Sequence, residues 1–578
     1  MTEELQRRAR SWLAEDPDPG TRAELEALLA AGDTDGLADA FGEPLQFGTA
    51  GIRGRLGPGP ARMNRLVVRQ VTAGLAGRLS EDGPPESKLV VVGRDARHGS
   101  PAFAADTVGV LAAAGFDVAV FADPVPTPLL AFAVRHLEAA AGVQITASHN
   151  PPADNGYKVF WAGGSQIAPP LDAEIARHIE AVGGPGGIPL VEGAGRILDR
   201  SVEDAYRRAC LALPRHREDR DLSLVVTPLH GVAGDLLVSL LADAGFADVA
   251  SVAAQHDPDA DFPTVAFPNP EEPGALDLAL ALADDVGADL VLATDPDGDR
   301  IGAAVPDHGG WRVLSGDEIG CMLAEYLLRE GPPDPDRIVA TTVVSSRLLF
   351  RIAASHGVRY AETLTGFKWL AQAVAEAEAG GARPVLAYEQ ALGVMAGDAV
   401  RDKDGISAAL VLADLAAHLA AQGRTIDDEL DDLARRHGVH RTQGRSVRLE
   451  GEEANELVPR ALDALAERPP DALAGTAVSA VNDHRVGRRR GRDGQTVELD
   501  TPPTDLVGVE LVDGSRAQVR PSGTEPLLKC YLEIVEPVHG DHGNHGAHDD
   551  LSAAYQRADE RVAALGDEFL ALLGLDDR

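Results

Sequence analysis

The chain has 578 residues, of which 44% are hydrophobic and 25% charged, and a formal net charge of −38. That length is a soft prior for about three to five domains, and the composition suits a chain that buries large cores. The charge repels nucleic acid and anionic membranes, so neither is an expected partner, and a phosphorylated ligand has to be drawn in by a local basic cleft. No N-terminal stretch joins a basic region to an apolar run, and no apolar run is long enough to span a bilayer. Cys210, Cys321 and Cys530 are odd in number and far apart, which argues against a disulfide framework and for a reducing cytoplasm. The lysines are Lys88, Lys158, Lys368, Lys403 and Lys529 in a chain that otherwise uses Arg, and all but Lys88 fall in or beside the motifs below.

Residues 1–40 read as amphipathic helix, a break near Pro17–Gly20, and helix again from Thr21 to about Leu29. The run Gln46-Phe47-Gly48-Thr49-Ala50-Gly51-Ile52-Arg53-Gly54 follows. Its glycines let backbone approach a ligand, and Arg53 can fork onto a phosphate. An internal repeat then organises most of the chain. Each copy has a first apolar strand (Lys88–Gly93, Leu222–Thr227, Arg337–Val343), a helical stretch, and a second strand after Gly115, Gly245 or Gly357. The third strands are Val143–Thr146, Ala288–Ala293 and Pro384–Ala387. Strands alternating with helices imply βαβ units and largely parallel sheets. After the third strand the copies present Ser148, Asp295 and Glu389, so three equivalent loops are expected to face one cleft.

The first of these loops ends in turn chemistry at Asn150-Pro151-Pro152 and Asp154-Asn155-Gly156. Ser148 and His149 therefore sit at the C-terminal end of a strand, where open α/β sheets bind ligands. Adjacent side chains on an extended chain point to opposite sides, so these two are not expected to pair as nucleophile and base. The second loop, Asp295-Pro296-Asp297-Gly298-Asp299-Arg300, places carboxylates at every second position, able to converge on one hard cation. An EF-hand is excluded, because the loop positions that need Gly and Glu hold Arg300 and Pro306. The third copy carries Leu364-Thr365-Gly366-Phe367-Lys368-Trp369 and Tyr388-Glu389-Gln390-Ala391-Leu392-Gly393, then Val400-Arg401-Asp402-Lys403-Asp404-Gly405-Ile406 before an Ala/Leu-rich helix.

Residues from about 420 to 445 are polar, with helical spacing, and read as a linker. Beyond it, Leu506–Leu511, Arg516–Val519 and Leu528–Ile534 are close enough for an antiparallel sheet with helices around it. The loop Arg520-Pro521-Ser522-Gly523-Thr524-Glu525-Pro526 offers a guanidinium, hydroxyls and an open backbone, a set that suits a phosphate. The Gly/His tract at 539–548 reads as a flexible insertion with adventitious metal affinity at most, and a closing helix starts at Leu551.

The run from Thr146 to Lys158, the Asp triplet, the Phe47–Gly54 run, the Thr365–Trp369 and Glu389 loops and the Arg520–Pro526 loop resemble, in order, those of the α-D-phosphohexomutases, in the branch of glucose and pentose phosphomutases. The resemblance implies four domains around one central cleft: three related α/β domains with mixed, mostly parallel sheets, and a C-terminal α+β domain. On this chain they fall at 1–200 (with a helical extension, 1–40), 201–308, 309–435 and 436–578. It implies a catalytic phosphate on Ser148, with His149, Lys158 and Arg53 beside it, Lys158 first and His149 second as candidates for proton transfer. It implies Mg²⁺ held by Asp295, Asp297, Asp299 and the Ser148 phosphate. Arg300, Thr365, Gly366, Lys368, Glu389, Ala391 and Lys403 are then substrate-binding residues, and Arg520, Ser522, Gly523 and Thr524 hold a phosphate. Many relatives have Ser where this chain has Ala391, which leaves the sugar open. The implied activity is interconversion of hexose 1-phosphate and hexose 6-phosphate, glucose first, with hexose 1,6-bisphosphate as intermediate and activator. Mannose or pentose phosphates remain alternatives, and a phosphatase or a non-catalytic phosphosugar binder are more distant ones. The expected protein is cytoplasmic, a monomer or small homo-oligomer.

Overall fold

The structure is a computed structural model that describes residues 2–81, 87–184, 186–448, 453–522, 527–538 and 547–575. It divides into two compact units, Met1–Leu323 with Phe367–Gly423, and Ala324–Gly366 with Arg424–Arg578.

The first unit opens with the helices Thr2–Glu15, Pro19–Ala31 and Thr34–Phe41, which close a small core on Ala9, Leu25, Leu37, Ala40 and Phe41. The expected break holds, and its chemistry is explicit. The Asp18 carboxylate accepts the backbone N–H of Gly20, and Pro19 occupies the first helical position, where no N–H is needed.

The first sheet contains β1 (Ile52–Arg55), β2 (Leu89–Arg94), β3 (Asp117–Val120), β4 (Ala141–Ile145), β5 (Asp154–Trp161) and β6 (Arg196–Ile197), in the order β1-β5-β4-β2-β3-β6. β2, β3, β4 and β6 run parallel, while β5 returns antiparallel to β4 and pairs with β1. Val90, Val92, Val143 and Ile145 are buried against Val68 and Leu75 of the helix Arg65–Glu81. Covered on both faces, these strands read as continuous apolar runs rather than alternating ones. The second sheet repeats the plan with β7 (Ser223–Thr227), β8 (Asp248–Ser251), β9 (Leu290–Thr294), β10 (Ile301–Asp307) and β11 (Gly310–Val313), in the order β11-β10-β9-β7-β8. Here β7 is parallel to β8 and β9, and β10 returns antiparallel to β9. The third copy contributes the antiparallel hairpin Arg383–Glu389 and Gly393–Ala396, with the helices Phe367–Ala379 and Gly405–Ala421. In every copy, then, the third strand ends in a tight loop and a return strand, and those loops carry Ser148, Asp295 and Glu389.

In the second unit, the parallel strands Arg337–Thr342 and Arg359–Thr363 flank the helix Leu348–His356, so the third α/β domain is divided between the units. The rest of this unit is an antiparallel sheet. Its order is Val439–Arg448, Leu527–Glu536, Arg516–Pro521, Val507–Leu511, Thr476–Asp483, Arg488–Gly491 and Thr496–Glu498. Helices Glu453–Glu467 and Ala547–Leu572 join it, burying Leu465, Leu565 and Phe569 against Val509, Val519 and Leu532. The linker expected over 420–445 is corrected. It is the helix Ile426–His437, opened by a capping box between Thr425 and Asp428, then a strand paired along its whole length with Leu527–Glu536. The helix buries only Ile426, Glu429, Leu433 and Ala434, so its apolar stripe is too thin to stand out among the charges. Among the described residues, no single helix is long and apolar enough to cross a membrane, and the three cysteines are buried and form no disulfide.

Candidate active site

The Ser148 loop leaves β4 with Thr146 Oγ1 accepting the Ser148 N–H at 2.9 Å. Ser148 then adopts φ +54°, the left-handed region that non-glycine residues avoid. That corrects the expected divergence of Ser148 and His149. The chain is not extended here, and Ser148 Oγ lies 3.3 Å from His149 Nδ1. Burial, then the charges of Arg300 and Arg53, hold His149 well below the usual imidazole range, so it is neutral near pH 7. Arg97, which the sequence reading passed over, keeps the loop in this shape. Its guanidinium donates to the carbonyls of Ser148 (2.6 Å), Asn150 (2.5 Å), Pro151 (2.8 Å) and Asp154 (3.2 Å). Its Nε lies 3.4 Å from Asp95, and both side chains are 1% exposed. The signal was present in Asp95-Ala96-Arg97, an acid–base pair directly after an apolar strand.

β1 pairs with β5 so that Arg53 lies opposite Gly156, two residues from Lys158. Gly51 makes the approach possible: it has φ +77°, and a Cβ there would lie 1.9 Å from the Tyr157 carbonyl oxygen. Arg53 donates to Asn150 Oδ1 at 3.3 Å, and Lys368, from the third copy, donates to Thr49 Oγ1 in the same Gly-rich run.

The acidic loop turns at Gly298, φ +71°. Asp295 Oδ1 accepts the backbone N–H groups of Asp299 (3.0 Å) and Arg300 (3.1 Å), while its Oδ2 accepts Ser148 Oγ–H at 2.8 Å. Asp297 Oδ2 accepts from Thr127 Oγ1 and from Lys158 Nζ, both at 2.6 Å. Asp299 Oδ2 accepts Lys158 Nζ at 2.9 Å and lies 3.3 Å from Lys403 Nζ. All three carboxylates are fully buried, each with an oxygen within 4.8 Å of the others. Asp297 Oδ1 and Asp299 Oδ1 have no hydrogen-bond partner. Two orphaned buried carboxylate oxygens in an all-oxygen set fit a hard divalent cation. Burial and the neighbouring Asp297 and Asp299 push Asp295 well above the carboxylate range. Burial opposes ionisation of Asp297 too, but the charge and hydrogen bond of Lys158 outweigh it and hold that carboxyl low. Lys158 is held charged by the same pair, against burial.

Glu389 ends its strand beside Lys403 and Arg300, which partly offset the upward push of burial on its carboxyl. Ala391 lies in the turn that follows, and the Leu392 carbonyl accepts the N–H of Ile301 at 3.0 Å, tying the second and third loops together. The Gly405 backbone packs on Arg300, where a Cβ would lie 2.1 Å from the Arg300 carbonyl oxygen. The first unit thus brings together Ser148, His149, Lys158, Arg53, the Asp triplet, Arg300, Glu389 and Lys403. Thr365, Gly366, Arg520 and Ser522 belong to the second unit, where Arg520 donates to Thr365 Oγ1 and the Ser522 N–H closes its loop on the Leu527 carbonyl at 2.8 Å. Gly523 and Thr524, and the His-rich tract up to residue 546, lie outside the described residues.

The loops thus set a serine hydroxyl against a buried acidic triplet able to hold a divalent cation, and comparison with known proteins gives the chain a family. Residues 44–183, 202–310 and 315–437 match the phosphoglucomutase/phosphomannomutase alpha/beta/alpha domains I, II and III, and residues 447–539 match the C-terminal domain. A Schizosaccharomyces pombe protein named "Probable phosphoribomutase" is 39% identical over 553 residues, covering 91% of this chain and 93% of that one. A Staphylococcus haemolyticus phosphoglucomutase is 36% identical over 504 residues, covering 86% and 91%. Parafusin, a phosphoglucomutase from Paramecium solved in an open form, shares the fold with a TM-score of 0.65 at 18% identity, covering 92% of this chain and 95% of that one. The chain belongs to the phosphoglucomutase/phosphomannomutase family. It is a mutase, an isomerase of the intramolecular phosphotransferase kind.

Proposed function

We propose that this mutase interconverts hexose 1-phosphate and hexose 6-phosphate, with glucose as the preferred sugar, through a phosphorylated Ser148. The observation that carries the reading is Ser148 Oγ bonded to Asp295 at 2.8 Å on a cluster with two buried carboxylate oxygens that accept no hydrogen bond. Asp295, Asp297 and Asp299 would hold Mg²⁺ with an oxygen of the Ser148 phosphate. Bound there, the cation would neutralise charge on the phosphoryl oxygens in flight. In the forward step the P–O bond to Ser148 Oγ breaks as the free sugar hydroxyl bonds to phosphorus, giving a bisphosphorylated sugar. That intermediate turns round, and its other phosphate returns to Ser148. The sugar proton passes to Lys158 or His149. His149 is neutral, and Lys158 is held charged by Asp297 and Asp299 against burial, so losing those carboxylates to a cation would lower its pKa. Arg300, Lys368, Glu389 and Lys403, with Thr365, Gly366 and the turn at Ala391, are the proposed sugar contacts. Arg520, Ser522, Gly523 and Thr524 are the proposed site of the phosphate that does not transfer. Hexose 1,6-bisphosphate would act as activator.

A second, pentose reading is supported by one observation: the relative named phosphoribomutase is 39% identical. We place the domains at 1–200, 201–308, 309–435 and 436–578, and infer a cytoplasmic monomer or small homo-oligomer. Steady-state assays with the 1-phosphates of glucose, mannose, glucosamine and ribose, alongside measurement of released phosphate and the mass of the intact protein, test the reading. The expected results are fastest turnover of glucose 1-phosphate, negligible phosphate release, and one phosphate on the Ser148 peptide. Fastest turnover of ribose 1-phosphate would move the assignment to pentose. Stoichiometric phosphate release, or normal turnover by Ser148→Ala, would overturn the mechanism.

A further inference from the structure

The second unit contains a cavity of about 370 Å³ that plays no part in the chemistry above. Its size is at the lower end of the range for small-molecule sites. Arg347, Phe350, Arg351, Tyr360, Glu362 and His440 line it. Three features point to one kind of ligand.

The first is a corner of two rings. Phe350 leaves 48% of its surface exposed and meets Tyr360 edge to face, with centroids 5.4 Å apart. An exposed ring braced this way offers a face to a planar partner. The second is an uncompensated charge. Arg347 is neutralised by Glu510 Oε1 at 2.5 Å. Arg351, one turn further along the same helix and exposed, has no ion pair among the described residues. In a chain of net charge −38, a free guanidinium beside two rings attracts an anion. Glu362, on the same wall, accepts the Tyr360 hydroxyl at 3.1 Å and disfavours a second negative charge. The third is an unmet acceptor. His440 Nδ1 lies 2.9 Å from the Glu533 carboxylate, and the neutral imidazole with its proton there keeps Nε2 as an acceptor. Its side chain is only 2% exposed, and Nε2 has no hydrogen-bond partner. His440 is one of the residues lining the cavity, and an unmet lone pair on it is a penalty that a ligand donor removes.

We propose that this cavity binds a small aromatic carboxylate carrying a hydroxyl or N–H donor, with its ring on Phe350 and Tyr360, its carboxylate at Arg351 and its donor at His440 Nε2. Such a ligand ties the helix Leu348–His356 and the strand Arg359–Thr363 to the strands Val439–Arg448 and Leu527–Glu536. It is thus placed to regulate the enzyme from outside the catalytic cluster.

The test is calorimetric titration of the full chain with 3- and 4-hydroxybenzoate, with benzoate (no donor) and 4-hydroxybenzamide (no charge) as controls. At least one hydroxybenzoate should bind, with both controls weaker by about tenfold or more, the size of one lost charged or hydrogen-bonded contact. Phe350→Ala and Arg351→Glu alter exposed side chains, so both variants should fold and turn over substrate normally. Each should also weaken the hydroxybenzoate by about tenfold or more. Failure of both hydroxybenzoates to bind, or equal binding by the two variants and the unaltered chain, would overturn the proposal. So would controls that bind as well as the hydroxybenzoates.

Discussion

Arg97 contacts no reacting atom in the mechanism proposed here, yet Arg97→Met should disable the enzyme. The guanidinium is 1% exposed and donates to four carbonyls of the Ser148 loop at 2.5–3.2 Å. Met keeps most of the volume and none of the donors. Two effects follow, and they can be separated. One is stability: Asp95 loses its counter-charge in a site where burial already pushes its carboxyl up, and breaking a buried pair costs about 3–5 kcal/mol. The other is position: Ser148 sits at φ +54°, a conformation that costs a non-glycine residue about 1–2 kcal/mol and persists only where its surroundings enforce it. Released from Arg97, the loop relaxes, and a displacement of about 1 Å at the nucleophile costs roughly 100-fold in rate. The assay pairs thermal unfolding with kcat for Arg97→Met and for the double variant Asp95→Asn/Arg97→Met. Asn can still accept from Ser100 and from the Arg97 position's backbone N–H, as Asp95 Oδ1 does at 2.6 and 3.0 Å. The double variant should therefore regain stability while kcat stays down by about 100-fold. Recovery of kcat together with stability, or normal turnover in the single variant, would refute a positioning role and leave Arg97 as packing.

Exhaustive chelation should abolish turnover and Mg²⁺ should restore it; Asp297→Asn should weaken Mg²⁺ binding in a calorimetric titration and remove several kcal/mol of transition-state stabilisation. Full activity after chelation counts against a cation on the Asp triplet. Glu389→Gln should lower kcat/KM unequally for glucose and ribose 1-phosphates, by about 10- to 150-fold for the better substrate, from the roughly 1.5–3 kcal/mol of a charged hydrogen bond; an equal loss removes Glu389 from sugar selection. In the second unit, burial opposes ionisation of Glu510, but Arg347, Asn482 and Arg489 hold its carboxyl down to about 2, against an ordinary 4.5. The unfolded chain binds that proton first, so the contribution to stability is complete above about pH 4.5 and is lost as pH falls towards 2. Glu510→Gln should flatten the acid limb of a stability–pH curve, and an unchanged slope refutes the assignment.

The fold was legible wherever one face or one period dominated. The strands of the three copies are apolar runs because both faces of their sheets are covered, and those runs lie within a residue or three of the observed strands. The return strands that place Ser148 and Asp295 were not legible as such: Tyr157 and Lys158 read only as the end of a motif, although β5 pairs with both β4 and β1. The stretch 420–445 showed helical spacing but read as a linker, because few apolar residues of its helix are buried and its capping box and Glu429–Arg329 pair are polar. At the site, short motifs picked out side chains that the first unit brings together. They hid what holds those side chains in place, because the partners of Arg97 are backbone carbonyls and carry no residue identity. The Ser148–His149 contact was not expected on an extended backbone, and a single positive φ undid that assumption.

The sparse lysines now acquire a physical reason. Three of the five lie at or beside this cluster: Lys158 on Asp297 and Asp299, Lys403 on Asp299, and Lys368 on Thr49. In this structure two ammonium groups engage the carboxylates that a divalent cation would share, so a buried acidic triplet is balanced without leaving three bare charges. Arginine would balance it as well, but its planar fork would stay locked on the carboxylates and could not give up a proton near neutral pH. A compact ammonium on a flexible stem can yield Asp297 and Asp299, turn towards a phosphoryl oxygen, and drop its pKa once its carboxylate partners are engaged elsewhere. On this reasoning Lys158→Arg is not conservative: charge and burial are kept, yet turnover should fall as far as in Lys158→Met, while Lys88→Arg, outside every motif, should leave turnover unchanged.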